Sequence, residues 1–306
     1  MDFTHISVLL EESVQNLDIN KDGIYVDCTM GGGGHSELIV SKLSPQGRLV
    51  GIDRDTEALD ASKKRLSSYN NVDYVHNNFH NIKQVLNELN IKEVDGVIAD
   101  LGVSSYQLDN KQRGFSYMED ARLDMRMDKS KDLDAYKVVN TYSYEDLVNI
   151  FYKYGEEKYA SSIAKGIINS RPITTTLELV EVIKNNVPEK YKRDKHPARK
   201  VFQAIRIEVN DELNVFEKSL KDALELIDVG GRICVITFHS LEDKICKNIF
   251  NSVSKVDDSL KHLPIIPDEY LPKFKVIKTI DPSKNELKVN TRARSAKLRI
   301  IERIGR

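Results

Sequence analysis

Short apolar runs alternate with amphipathic stretches through the first hundred residues. Ile24-Tyr25-Val26-Asp27-Cys28 is the first run, and Leu49-Val50-Gly51-Ile52-Asp53, Val72-Asp73-Tyr74-Val75 and Val94-Asp95-Gly96-Val97-Ile98-Ala99-Asp100 follow. Runs of this length bounded by turn residues predict buried strands. Between them, the stretch 56–67 carries Ala58, Leu59, Ala61 and Leu66 at helical spacing, and 81–89 behaves similarly. Strands separated by helices predict a parallel α/β sheet. A fifth strand, 233–238, follows a long helical pattern over 202–227 and the stop signal Gly230-Gly231. The segments 274–278 and 298–301 predict two closing strands around a polar loop.

Leu101 and Arg232 are separated by about 130 residues, whereas a strand–helix–strand crossover needs about a dozen. The surplus reads as helical over 144–153, 156–168 and 177–186, punctuated by Pro172 and Pro188. The expected organisation is a discontinuous α/β core, 1–106 and 200–306, carrying a helical insertion at 107–199 that is expected to recognise the substrate. No internal repeat or low-complexity tract is visible.

The chemistry-bearing positions fall at strand ends. Asp27-Cys28-Thr29-Met30-Gly31-Gly32-Gly33-Gly34-His35-Ser36 follows a strand and opens a helix. Glycines there let the backbone approach a ligand, though a structural turn explains them equally well. A dinucleotide fingerprint starting at Gly31 needs a third glycine where Ser36 stands, so a nicotinamide enzyme is disfavoured. A site for S-adenosylmethionine has no pyrophosphate to hold and tolerates this loop. Asp53 ends the second strand about 20 residues on, where a carboxylate accepts ribose hydroxyls. The alternative role, capping the helix near Thr56, falls to Asp55 as readily. Phe79 follows the third strand and is either an adenine contact or a core aromatic. Asp100 ends the fourth, and ligands bind at the carboxyl ends of parallel strands. His76 and His80 straddle a strand end instead of sharing a helix face, so no metal site is expected.

Composition narrows the setting. The 306 residues are 40% hydrophobic and 30% charged, with 46 Lys or Arg against 47 Asp or Glu. The near-neutral balance excludes a uniformly basic coat for nucleic acid, but two stretches depart from it. Residues 188–206 hold seven basic residues against two acids, and 284–306 hold eight against two. Arg199, Lys200, Arg292, Arg294 and Lys297 are therefore candidate phosphate contacts. No apolar run reaches the length of a membrane span, and the start lacks a secretory signal pattern. Three cysteines without disulfide or zinc spacing favour a reducing cytoplasm.

Longer motifs carry a family resemblance over nearly the whole chain. They include His5 to Leu10, Gly31 to Ser36, Asp100 to Asp109, Arg113 to Ser116 and Leu123 to Asp128. Further on come Phe202 to Arg206, Val209 to Leu213, Phe238 to Asp243 and Arg294 to Arg299. With these the chain resembles the bacterial 16S ribosomal RNA cytosine-N4 methyltransferases, which act on cytosine 1402 of the small-subunit RNA. The resemblance implies a class I, Rossmann-like methyltransferase core using S-adenosylmethionine, with cofactor contacts at Gly33, Gly34, His35, Asp53, Phe79, Asp100 and Gln107. It implies 16S rRNA in the small subunit as partner and does not select between monomer and homodimer. The chain departs from the family pattern at Ala121-Arg122, where many members have Gly-Pro, and at Ser161-Ser162, in a helix often basic in relatives.

Methylating an exocyclic amine requires alignment of nitrogen, methyl and sulfur, and a partner for charge developing on nitrogen. It requires no cysteine adduct, in keeping with Cys28, Cys234 and Cys246 lying outside the candidate loops. Asp100 is the expected acceptor for the amino group or the residue that fixes the cofactor beside it. Ser104, Ser105 and His239 are further candidates for orienting the base, and Tyr106, Phe115 and Tyr117 for stacking on it. The competing classes are a methyltransferase of a protein or small molecule and a non-catalytic ribosome-assembly factor.

Overall fold

The computed structural model describes residues 7–104, 107–108, 110–194, 196–256, 258–260 and 265–305. The chain forms two compact units, Met1–Gly102 with Leu213–Arg306, and Val103–Glu212. The insertion therefore begins slightly earlier and ends later than the expected 107–199. Its last helix, Ala198–Asn210, buries Val201, Phe202, Ala204 and Ile205 in the core of the second unit.

In the first unit seven strands make one sheet: β1 (Ile24–Asp27), β2 (Arg48–Asp53), β3 (Val72–His76), β4 (Val94–Asp100), β5 (Ile227–Thr237), β6 (Phe274–Ile280) and β7 (Lys297–Arg303). Their order is β3-β2-β1-β4-β5-β7-β6. β1 to β5 are parallel, and β7 runs antiparallel to both β5 and β6. All seven expected strands are present, in a Rossmann-like sheet. Successive residues face opposite sides of a strand, and both sides here are covered. Val50 and Val97 enter one core with Ile82 and Phe216, while Leu49 and Ile98 enter another with Ile39 and Leu59. That is why the parallel strands read as continuous apolar runs.

Two expected elements changed shape. The helical pattern over 202–227 is two helices, Ala198–Asn210 and Glu212–Leu226. Between them Asp211 takes a left-handed φ of 50°, which ends the first helix without glycine or proline. Strand five starts at Ile227 rather than after the glycine pair. Gly230, at φ 86°, lies within a register shift against β4 between Val94 and Gly96.

The second unit is helical: Ala135–Thr141, Tyr144–Gly155, Ala160–Ser170, Thr176–Asn185, Glu189–Asp194 and Ala198–Asn210. Ser143 caps the second of these, and Thr175 with Glu178 forms a capping box on the fourth. Ala121-Arg122, the departure from Gly-Pro, is pinned by backbone bonds from Thr176 N–H to Ala121 C=O (2.8 Å) and from Leu123 N–H to Thr174 C=O (3.1 Å). Arg122 also pairs with Asp134 at 2.7 Å.

Candidate functional site

The strand order reverses at β1, between β2 and β4. In such sheets that is where a crevice opens at the carboxyl ends, and the glycine loop leaves β1 there. Gly31 and Gly33 adopt φ of 51° and 79°, the region that favours glycine. A Cβ on Gly34 would run into Ser7 Oγ. The loop is held from three sides. Asp53 Oδ2 accepts Gly31 N–H at 2.8 Å, and Ser62 Oγ donates to Gly31 C=O at 2.6 Å. Asp27 accepts from Ser36 Oγ at 2.7 Å and from Thr29 N–H at 3.1 Å.

Asp53 also accepts Asp55 N–H at 2.9 Å through its other oxygen. One bond per oxygen leaves a carboxylate capacity for the ribose hydroxyls. The helix cap at Thr56 is Asp55, whose side chain accepts Glu57 N–H. Phe79 lies in a 3-10 turn after β3 and is 9% exposed, packed with Ile52 and Ile82 in one sheet-face core. His35, in the helix Gly34–Val40, is buried; its Nε2 is 3.1 Å from Val8 C=O and its Nδ1 is 3.8 Å from Asp100 Oδ2. His5 and Ile6 lie outside the described residues.

Asp100 is the unusual group. Its backbone N–H donates to Thr29 Oγ1 at 2.7 Å. Its Oδ1 is buried and has no hydrogen-bond partner among the described residues. Burial, and then the charges of Asp27 and Glu242, hold its carboxyl well above the usual carboxylate range. Burial likewise raises Asp53 and pushes Asp27 up to about 6. Carboxyl groups gathered this way are suited to meeting positive charge or donor groups.

His239 caps the helix Ser240–Ser254: its Nδ1 accepts Glu242 N–H, and Glu242 Oε2 accepts Phe238 N–H at 2.7 Å. The capping box accounts for the placement of this imidazole. Glu242, absent from the sequence candidates, is buried and also adds to the field on Asp100. The expected pattern for such a cap places Ser, Thr, Asp or Asn first, so a histidine there gave no signal. The cysteines are all buried and free. Burial raises their thiols, Cys234 to about 12, which keeps them protonated and inert.

Other expected site residues belong to the second unit. Ser104 and Gln107 bond each other: Ser104 N–H to Gln107 Oε1 at 3.1 Å, and Gln107 N–H to Ser104 Oγ at 3.2 Å. Phe115 is buried, while Tyr117 is partly buried and stacked on His196 at 4.6 Å. Ser105 and Tyr106 lie outside the described residues. Arg199 is exposed, and Lys200 Nζ donates to Glu156 C=O at 2.6 Å. In the first unit Arg292, Arg294 and Lys297 are exposed.

The MraW methylase family matches residues 2–304. The chain belongs to the MraW methylase family. It is similar to the ribosomal RNA small subunit methyltransferase H of Clostridium botulinum strains Loch Maree / Type A3 and Kyoto / Type A2. Each is 53% identical over 309 residues, with 99% of this chain and 100% of the relative covered. Among solved structures it is similar to a Streptococcus mutans methyltransferase in complex with SAH (TM-score 0.46, 14% identity, 98% of this chain and 100% of that one). This MraW methylase uses S-adenosylmethionine, which supplies an electrophilic methyl group when bound. The residues present fit that cofactor. Asp53 offers a carboxylate with one bond per oxygen, the left-handed glycine turn a cradle without side chains, and the unpartnered Asp100 Oδ1 an acceptor left over at the carboxyl end of β4.

Proposed function

We propose that this MraW methylase transfers a methyl group to the exocyclic N4 of cytosine 1402 in the 16S RNA of the small ribosomal subunit. The relatives named as ribosomal RNA small subunit methyltransferases support the substrate class, at 53% identity over their full length. The observation that carries the chemistry is the unpartnered, buried Oδ1 of Asp100 at the carboxyl end of β4. Asp53 holds the glycine loop and takes the ribose; Gly33, Gly34 and His35 line the cofactor; and Phe79 completes the contacts made by this unit. Asp100 accepts a hydrogen bond from the amino group of the target base, aligning the nitrogen and sharing the positive charge that develops on it. S-adenosylmethionine, held by these residues, would supply the methyl group for the new nitrogen–carbon bond and carry off the sulfur leaving group with its electron pair. The proton then leaves nitrogen for solvent, so no dedicated general base is needed. The target is unstacked before it reacts, as base-modifying enzymes require. Asp53, Asp100 and the glycines together favour catalysis over an assembly role without chemistry. The reaction takes place in the cytoplasm, where its substrate is assembled.

The test uses purified protein, S-adenosylmethionine with a labelled methyl group, and small subunits from cells lacking this enzyme. Label is expected in the RNA fraction. Label in ribosomal protein, or none in either fraction, would overturn the proposal.

A further inference from the structure

We propose that the face of the helical unit formed by Lys153, Lys158 and Lys200 is a docking surface for single-stranded RNA. The inference rests on the reading that the substrate is ribosomal RNA, and it adds Lys153 and Lys158, which no charge run marked, to the sequence candidate Lys200. The segment Lys153-Tyr154-Gly155-Glu156-Glu157-Lys158-Tyr159 joins the helices Tyr144–Gly155 and Ala160–Ser170. Glu156, at φ 48°, turns the chain, and Glu157 is fully buried. The Glu157 carboxylate accepts Tyr159 N–H at 2.9 Å and Tyr191 O–H at 2.6 Å. It thereby orders two tyrosines whose rings meet edge-on at 4.9 Å. Lys158 Nζ lies 4.9 Å from the centre of each ring, and Lys153 Nζ lies 4.9 Å from that of Tyr154. Lys200 Nζ is tied to the Glu156 carbonyl.

None of these three ammonium groups has a carboxylate within ion-pair distance among the described residues. Lys184 and Lys192, in the same unit, are paired with Glu181 and Glu189. A ring face and a carbonyl orient a cation without neutralising it. The three are therefore oriented without a carboxylate partner among the described residues, with Arg199 exposed next to Lys200 in sequence and Glu156 the exposed acid of the loop. Tyr152, beside Lys153, is 72% exposed and offers a ring face to a base. Fixed cations interleaved with aromatic rings match the alternation of phosphate and unstacked base in a single strand. The basic stretch 188–206 thus reaches RNA together with the loop before Ser161-Ser162, although that helix start carries no charge of its own.

The experiment measures binding of the full chain to a fluorescent single-stranded RNA oligonucleotide carrying the target cytosine, by anisotropy across a salt series. The variants are Lys153→Ala/Lys158→Ala/Lys200→Ala, Lys158→Gln, Lys158→Arg and Tyr152→Ala. Circular dichroism and S-adenosylmethionine binding report folding. The triple variant is expected to lose at least about tenfold in affinity, with a salt slope shallower by about two, since each phosphate contact to a single strand contributes about 0.7. Lys158→Gln shows part of that loss and Lys158→Arg restores it, so the pair decides the matter even if the triple variant misfolds. Tyr152→Ala weakens binding without changing the slope. Wild-type affinity and slope in the folded lysine variants, or no RNA binding by the wild type, would overturn the proposal. Methyl transfer by the wild type is read separately. Transfer with an unaltered lysine variant removes the docking face and leaves the function, whereas lost affinity without any transfer does the reverse.

Discussion

Asp100 sits among like charges, and two consequences follow for single residues. Its carboxyl is held above the usual range by burial and by Asp27 and Glu242, so it takes up a proton at higher pH than an exposed aspartate does. A protonated carboxyl is a poorer acceptor for the amino group. Methyl transfer should therefore fall on acidification with an inflection above the ordinary carboxylate range. Asp100→Asn should lower kcat by about 100-fold and remove the acid limb while cofactor binding, read by calorimetry, survives. Full turnover in a folded, cofactor-binding variant would contradict the role, and lost binding with intact kcat would move Asp100 to the cofactor. Asp27 answers differently. Its folded-state pKa, about 6, exceeds the ordinary 3.8, so the native state binds the proton more tightly. Stability is lost as pH rises from about 4 through about 6. In Asp27→Asn the Ser36 hydroxyl can reverse to accept from the amide. The variant should gain on wild type across that window, by about 3 kcal/mol at pH 7, in urea titrations at each pH. A pH-independent difference would count against the assignment. The places of Asp53 and Asp100 at the ends of β2 and β4 were legible in the sequence because the apolar runs stop there. Glu242 was not, because its capping partner is a histidine.

Among elements, the glycine loop offers the most direct test of the proposed cofactor site. Gly33 has φ 79°, yet a Cβ there would meet Ser62 and Arg65 only at ordinary contact distances of 3.4–3.5 Å. Gly33→Ala is thus a test of backbone conformation rather than of space. It should cost about 1–2 kcal/mol in urea unfolding and weaken S-adenosylmethionine binding. Unchanged stability and binding would show that the left-handed turn is dispensable. The strands were readable because burial on both faces writes continuous apolar runs, as at Val94 to Asp100. The break at Asp211 was not, because 202–227 keeps its apolar spacing through a residue that carries no stop signal.

For the whole molecule, a net charge of −1 conceals unlike parts. Counting charges along the sequence overstated the basic stretches: Arg299 is engaged by Asp243 at 2.7 Å, and Arg206 by Glu212 at 2.8 Å. Arg292, Arg294 and Lys297 remain exposed. Replacing those three with alanine should weaken binding to small-subunit RNA and flatten its salt dependence; an unchanged slope would remove them as phosphate contacts. The division into two units was legible in outline from the surplus between strands four and five. Its closing boundary was not, because the helix Ala198–Asn210 continues the sequence pattern of the core while packing in the second unit. Among the described residues no helix is long and apolar enough to cross a membrane.

The proposed product is a methyl group on one nitrogen of one base. Small subunits lacking the modification, incubated with the protein and methyl-labelled S-adenosylmethionine, are digested and mapped by nucleoside and fragment mass spectrometry. Labelled N4-methylcytidine is expected at position 1402 of the 16S RNA, made by the wild type and sharply reduced with Asp100→Asn. Label on another atom or another nucleotide, or undiminished product from the variant, would contradict it.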